Sequence, residues 1–144
     1  MTTKISPRLA EIVDALPLRP GMRVLEIGCG PGVAARAAVQ RMGKGYVLAI
    51  DRSAKAIAQA TACSTAELAS GLLEFRCVAI EDFVLSKGER PYDLAFAVRV
   101  GALDGRHPKA GRIAFDRLRQ ALAKDGRLFI DDGNPVTEVS LGVA

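Results

Sequence analysis

The sequence contains no tryptophan, and aromatic residues make up only 5% of its 144 residues. An apolar content of 49% must therefore come mainly from Ala, Val, Leu and Ile. Such a composition suits a parallel sheet that helices cover on both faces. The length corresponds to one domain, so we predict a single domain over residues 1–144.

Cysteine and histidine are also scarce. Cys29, Cys63 and Cys77 are widely separated, form no CxxC pair and have only His107 as an imidazole partner. Structural zinc sites need closely spaced thiolate and imidazole ligands. We therefore expect no metal site, and free thiols in a reducing cytosol.

No apolar run approaches the roughly 18–20 residues of a membrane span. Charged residues interrupt residues 1–20, which excludes the apolar region of a signal peptide. The net charge of +4 and the pI near 9.2 are mildly basic. Because the Lys and Arg residues are dispersed and aromatic residues are few, nucleic-acid binding is not indicated. We predict a soluble, cytoplasmic protein without membrane association.

Apolar strand-like segments alternate with amphipathic helical segments about five times along the chain. Strands are predicted over 23–27, 46–50, 73–79, 92–98 and 127–131, the last after an Asp125-Gly126 turn. Helices are predicted over 6–16, 33–42, 53–69 and 109–123, with a helical turn near 81–85. This alternation indicates an α/β fold with a doubly wound, mainly parallel sheet and helices on both faces.

Three glycines, Gly28, Gly30 and Gly32, separate the first strand from the next helix. A glycine loop of this kind brings backbone amides to a helix N-terminus, where a Cβ would block a ligand or forbid the turn. Asp51 ends the second strand, and one carboxylate there can accept hydrogen bonds from both hydroxyls of a ribose. The pattern predicts a nucleoside-containing ligand.

The loop differs from the dinucleotide fingerprint G-x-G-x-x-G, which would require glycine at position 33, where the chain has Val33. Glu26 lies two residues before the first glycine. A carboxylate there would repel a pyrophosphate and attract a cationic amino group. The residues therefore favour a ligand with a positive end and no phosphates over the NAD of an oxidoreductase.

The segment VLEIGCGPG, at residues 24–32, resembles motif I of the class I S-adenosylmethionine (SAM)-dependent methyltransferases. The segments AIDRS (49–53), VAIEDF (78–83), YDLAFAV (92–98) and GRLFID (126–131) are similar to later family motifs, in the family's order. The resemblance implies a Rossmann-like sheet in the order 3-2-1-4-5. The family fold continues with a helix and an antiparallel hairpin. Only residues 132–144 follow the fifth predicted strand, so we expect a short member of the family without the full hairpin. At most one further strand is predicted, over 137–144, where the apolar residues Val139, Leu141 and Val143 occupy every second position.

The resemblance also implies that SAM is the methyl donor and S-adenosylhomocysteine the product. The implied cofactor-binding residues are Glu26 for the amino group, Gly28, Cys29, Gly30 and Gly32 for the loop, Asp51 for the ribose, Arg52, Ile80 and Glu81 for the adenine, and Val98 beside the sulfonium. Ala79 stands where many relatives have the aspartate that binds the adenine amino group.

The residues predicted to face the methyl acceptor differ from the usual family pattern. Arg99 follows strand four, where the family often has a small or amide residue, and an arginine there would suit an anionic acceptor. His107, the sole histidine, is the candidate general base. No NPPY-like motif of base-modifying relatives follows strand four, so a small-molecule acceptor is predicted. The alternative is a non-catalytic SAM-binding module that acts with a partner.

An open sheet edge predicts a homodimer, through that edge or an exchanged C-terminal tail.

Overall fold

The structure, a computed structural model, describes residues 4–132 and 135–142. Within them, six strands form one sheet. The strands are β1 (Arg23–Ile27), β2 (Tyr46–Asp51), β3 (Leu73–Cys77), β4 (Tyr92–Ala97), β5 (Leu122–Ile130) and β6 (Thr137–Val139). Their order is β3-β2-β1-β4-β5-β6, with β1 to β5 parallel and β6 antiparallel to β5. The predicted order 3-2-1-4-5 is confirmed, with one antiparallel strand added.

Five helices accompany the sheet in the described residues. They are α1 (Pro7–Ala15), α2 (Val33–Met42), α3 (Ala54–Cys63), α4 (Thr65–Ser70) and α5 (Pro108–Ala121), and a short 3-10 turn occupies Ile80–Asp82. The side chains of Ser6 and Ser53 accept from Leu9 N and Ala56 N, so both cap helix N-termini. None of the helices described is long and apolar enough to cross a membrane.

The sheet is buried on both faces because residues alternate along each strand. On one face, Leu25 and Ile27 of β1 belong to a core that includes Leu118 of α5. On the other face, Val24 belongs to a core with Val13 of α1 and Ala38 of α2. The expectation of helices on both faces is confirmed, with small Ala side chains letting α2 lie close to the sheet.

One predicted helix is wrong in its extent. The Ala-rich segment 53–69 forms two helices, because Ser64 leaves helical geometry with φ −123° and ψ 32°. The Ser64 side chain is fully buried and accepts a hydrogen bond from the Arg36 guanidinium at 2.9 Å. A tertiary hydrogen bond therefore interrupts a segment whose composition favours one continuous helix. Gly71 ends α4 with a positive φ of 78°.

Strand ends differ from the prediction by a few residues. Strands β3 and β4 end at Cys77 and Ala97, before the predicted Ala79 and Val98. Strand β5 begins at Leu122 and includes the predicted Asp125-Gly126 turn, which lies where the register with β4 shifts. The predicted tail strand is three residues long, and its Val143–Ala144 end lies outside the described residues.

Strand β1 lies between β2 and β4, so the strand order reverses at β1. Strands β2 and β3 lie on one side of it, and β4, β5 and β6 lie on the other. Ligands of open α/β sheets bind outside the carboxyl ends of the strands at such a switch point. The glycine loop after Ile27 and the loop after Ala97 both begin there. The topology therefore places the candidate site at this edge.

Candidate functional site

A cleft of about 1070 Å³ opens at the carboxyl ends of β1, β2, β3 and β4. It brings together several residues that the sequence predicted for the site. These are Gly28, Asp51, Arg52, Ile80, Glu81, Arg99 and His107. Its remaining walls come from the loop after β4 and from the first turns of α5.

The glycine loop keeps its shape because its glycines adopt left-handed backbone geometry. Gly28, Gly30 and Gly32 have φ values of 69°, 52° and 85°. A Cβ on Gly28 would lie 2.7 Å from Val100 Cγ2, on the cleft wall. Glycine at this position therefore keeps the cleft wall in place as well as permitting the turn.

Asp51 connects the end of β2 to the glycine loop. Its Oδ2 accepts from the backbone N–H of Gly30 at 2.9 Å, and its Oδ1 accepts from the N–H of Ser53 at 2.8 Å. The carboxylate is fixed by the protein and still lines the cleft. Each oxygen has a second lone pair, so the fixed group can also accept from two hydroxyls of a ligand.

Glu26 lies beneath the loop rather than on the cleft wall. Its side chain is 2% exposed, and Oε1 has no hydrogen-bond partner among the described residues. Burial, followed by the nearby charge of Asp51, raises the Glu26 pKa from 4.5 to about 8, while Arg36 opposes the shift. Glu26 is thus a buried acid with a free acceptor position directly behind the glycine loop.

Arg36 of α2 is the buried cation on this side of the loop. Its Nη1 donates to the carbonyl of Pro31 and to Ser64 Oγ, both at 2.9 Å, and Nη2 has no partner in the described part of the chain. The guanidinium therefore ties the glycine loop to the junction between α3 and α4. Sequence reasoning missed Arg36, because nothing in an Ala-rich helix pattern marks one arginine as buried.

The β2–β3 side of the cleft carries the residues predicted for adenine. Ile80, on the 3-10 turn, is 3% exposed, and the Arg52 guanidinium pairs with Glu81 at 2.8 Å. The Arg117 side chain donates to the Glu81 carbonyl at 3.0 Å, which holds the turn against α5. Ala79 and Glu81 both line this side of the cleft, so an apolar side chain stands at the predicted aspartate position and a carboxylate follows two residues later.

The β4–α5 side is built on an unusual backbone at Arg99. Arg99 has a φ of 58°, the one positive value for a non-glycine residue in the described ranges. Its amide donates to Asp131 Oδ1 at 3.0 Å, and its carbonyl accepts from Arg106 at 3.3 Å. His107 lies so close to Gly101 that a Cβ there would be 2.5 Å from His107 Cδ2. Arg99, Arg106 and His107 thus line one cleft.

Other predicted site residues lie outside the cleft wall. Val98 is partly buried and packs in the core under α1 and α2. Gly30, Gly32 and Cys29 lie on the loop behind Gly28, with Cys29 6% exposed. Burial and the nearby Glu26 carboxyl raise the pKa of the Cys29 thiol far above its usual value, which disfavours the thiolate form that a nucleophile needs.

Several cleft residues were not anticipated. Val100 and Ala102 form an apolar wall, and Lys109 and Arg112 enter from the first turns of α5. The spacing of Lys109 and Arg112 by three residues places them on one helix face, a signal that was available in the sequence. Within residues 4–132 and 135–142, no group of three or more His, Cys, Asp or Glu side chains is placed to hold a metal ion.

Comparison with known proteins agrees with this geometry. Residues 24–126 match the family described as the methyltransferase domain. The chain belongs to this family. The predicted resemblance to class I SAM-dependent methyltransferases is thereby confirmed at the level of family and fold.

Among curated proteins, the chain is 37% identical over 127 residues to a protein-L-isoaspartate O-methyltransferase of Methylorubrum populi. That match covers 88% of this chain and 52% of the relative, so the chain spans about half of the relative's length.

Two solved structures share the fold. A SAM-dependent methyltransferase from Thiobacillus denitrificans, in complex with S-adenosyl-L-homocysteine, superposes with a TM-score of 0.67 at 24% identity, over 90% of this chain and 50% of that one. Phosphoethanolamine N-methyltransferase 2 of Haemonchus contortus, in complex with SAM, gives 0.69 at 24% identity, over 85% and 27%.

Proposed function

We propose that the chain binds SAM in the cleft and transfers its methyl group to a small-molecule acceptor. The observation that carries this proposal is the fixed carboxylate of Asp51, which faces the cleft from the end of β2 beside the Gly28 turn. The family match and the SAM-containing structural neighbours support the same donor.

Three features of the chain fit this donor. The two free lone pairs of Asp51 suit the ribose hydroxyls. The open backbone of Gly28 allows a ligand to approach, and the unpartnered Oε1 of Glu26 behind the loop is an acceptor toward the amino group of a methionine moiety. Ile80 and the Arg52–Glu81 pair offer a surface for the adenine.

The bound sulfonium supplies an activated methyl group and a leaving group that departs as a neutral thioether. The residues of the chain then have to orient the donor, align the acceptor and exclude water, which supplies a large part of the rate. Asp51 and Ile80 hold the nucleoside end, and Val100 and Ala102 form the apolar wall toward the acceptor. His107 is the proposed base wherever an acceptor carries a proton that must be removed.

Calorimetric titration with SAM, S-adenosylhomocysteine and NAD tests the proposal. We expect both sulfur ligands to bind at about 100 µM or below, in the usual range for enzyme ligands, and NAD to bind far more weakly. Asp51→Ala should weaken binding by about 1–3 kcal/mol through lost charged hydrogen bonds. Asp125→Ala, at an exposed aspartate at the opposite end of the sheet, is the matched control. Failure of both sulfur ligands to bind would contradict the proposal.

We also propose that the chain is cytoplasmic and that a second copy pairs with its sheet edge. Strand β6 lies at the end of the sheet, and Thr137 and Glu138 are exposed. An edge strand presents unpaired backbone groups that another strand can match. Light scattering at micromolar concentration should give a dimer mass, and a strictly monomeric mass would contradict the pairing.

A further inference from the structure

The charges that line the cleft are unevenly distributed. Its two carboxylates, Asp51 and Glu81, lie on the β2–β3 side, where backbone amides and Arg52 hold them. Among the described residues, the opposite side, formed by the loop after β4 and the start of α5, contributes cationic side chains, the imidazole of His107 and apolar groups to the lining, and no carboxylate. Their charged members are Arg99, Arg106, Lys109 and Arg112.

Most of these cations have no internal counterion. The Arg106 side chain is paired within its own loop, since Nε donates to both carboxylate oxygens of Asp104 at 2.9 Å and Nη2 donates to the Arg99 carbonyl. The side chains of Arg99, Lys109 and Arg112, by contrast, make no hydrogen bond or ion pair with any residue in 4–132 or 135–142. Three positive charges therefore face one side of the cleft without a protein partner.

The start of α5 adds to this positive field. Pro108 begins a helix of 14 residues, and the side chain of His107, in the N-cap position, makes no capping hydrogen bond within the described residues. Pro108, Lys109 and Ala110 of this first turn all line the cleft. The positive end of the helix dipole and its uncapped backbone therefore lie on the same side as the three cations.

We propose that this side of the cleft binds an oxyanion, a carboxylate or phosphate group, of the small-molecule methyl acceptor through Arg99, Lys109 and Arg112. The inference rests on the proposed function, because it assigns the half of the cleft opposite Asp51 to the acceptor. It extends that function by naming the chemical class of the acceptor.

Electrostatics favours this assignment over a neutral or cationic acceptor. A bound sulfonium adds positive charge to a cleft in which five lining residues are Lys or Arg and two are Asp or Glu. An acceptor with an oxyanion offsets that charge and forms charge-assisted hydrogen bonds, which are stronger than neutral ones. A cationic acceptor would meet unpaired cations at close range.

The experiment uses the full chain and four probes of similar size: benzoate, phenyl phosphate, benzamide and benzylamine. The apolar wall of Val100 and Ala102 can receive the ring of each probe, so only the polar group differs. Each probe is titrated with and without saturating S-adenosylhomocysteine, whose own binding is measured first. We expect at least one anion to bind about tenfold or more tighter than benzamide, and benzylamine to bind weakest.

Charge-removing variants assign the binding to the named residues. Lys109→Gln and Arg112→Gln should each weaken anion binding about three- to tenfold, and the double variant more. Lys124→Gln, an exposed lysine at the opposite end of the sheet, is the matched control. Added salt should also weaken anion binding in the unmodified chain and leave benzamide binding unchanged, a readout that needs no variant.

The outcomes separate this inference from the function on which it rests. Binding of phenyl phosphate alone, or of benzoate alone, supports an oxyanion site and identifies the acceptor group as a phosphate or as a carboxylate. Equal binding of benzamide and both anions, or anion binding that is insensitive to Lys109→Gln and Arg112→Gln, would overturn the inference even if S-adenosylhomocysteine binds. Failure of S-adenosylhomocysteine to bind would instead contradict the proposed function.

Discussion

The carboxylate of Asp131 accepts a hydrogen bond from the backbone amide of Arg99, with Oδ1 3.0 Å from the nitrogen. This contact joins the end of β5 to the loop after β4, at a residue whose φ of 58° is unfavourable for an L-amino acid. Asp131 also forms an ion pair through Oδ2 with Arg8, which lies in the first turn of α1. The strand-end carboxylate therefore holds a strained turn of the cleft wall.

Replacing Asp131 by alanine should loosen this loop. The change removes the acceptor of the Arg99 amide, so we expect a loss of about 1–3 kcal/mol in the free energy of unfolding and faster hydrogen exchange across residues 99–107. Asp132→Ala, one residue further on and exposed, should change neither quantity appreciably. Equal exchange rates in the two variants would show that Asp131 does not hold the loop.

The sequence predicted the strands, the glycine loop and the Asp51 position because these depend on local patterns, whereas the predicted sheet order came from the family resemblance. Apolar runs, glycines at required backbone angles and a carboxylate at a strand end are all visible in a linear chain. The strained geometry of Arg99 could not be predicted, since it depends on Asp131, 32 residues away. Lys109 and Arg112 share one helix face in the sequence pattern, but only the folded chain shows that this face lines the cleft.

The break between α3 and α4 gives a second prediction. Ser64→Ala removes the side-chain acceptor that the buried Arg36 guanidinium contacts at 2.9 Å. We expect a loss of about 1–3 kcal/mol in chemical denaturation, because a buried charged donor loses a hydrogen bond. Ser70→Ala removes an exposed hydroxyl at the end of α4 and should cost about 0.5 kcal/mol or less. Similar losses for both variants would contradict a tertiary role for Ser64.

The close approach of Gly28 to Val100 gives a third prediction. Gly28→Ala places a methyl group where Val100 Cγ2 lies 2.7 Å away, whereas Gly21→Ala meets nothing within 4 Å. Both glycines have positive φ values, 69° and 87°, so both variants carry a backbone cost of about 1–2 kcal/mol.

Only Gly28→Ala should displace the cleft wall, so it should weaken S-adenosylhomocysteine binding about tenfold or more beyond Gly21→Ala. Calorimetry on both variants, each checked for folding by circular dichroism, measures the difference. Equal affinities of the two variants for S-adenosylhomocysteine would show that the position of Val100 does not affect its binding.

Glu26 makes the stability of the fold depend on pH. Its pKa is raised by burial to about 8 in the folded state, whereas the unfolded chain releases the same proton near the ordinary pKa of 4.5. Between these values the unfolded state binds fewer protons, so the free energy of unfolding falls as pH rises, and the loss is complete once pH exceeds the folded pKa. Glu26→Gln keeps a neutral group of similar size and removes this dependence.

Denaturant titrations from pH 5 to about 9 should therefore show the unmodified chain losing stability relative to Glu26→Gln, by an amount on the order of a few kcal/mol. Glu67→Gln changes a partly exposed carboxyl group of α4 and serves as the control, with a pH profile parallel to that of the unmodified chain. Saturating S-adenosylhomocysteine adds a further test, because its amino group would stabilise the ionised carboxylate and flatten the decline. Parallel profiles for Glu26→Gln and the unmodified chain would mean that Glu26 is ionised in the folded protein throughout this range.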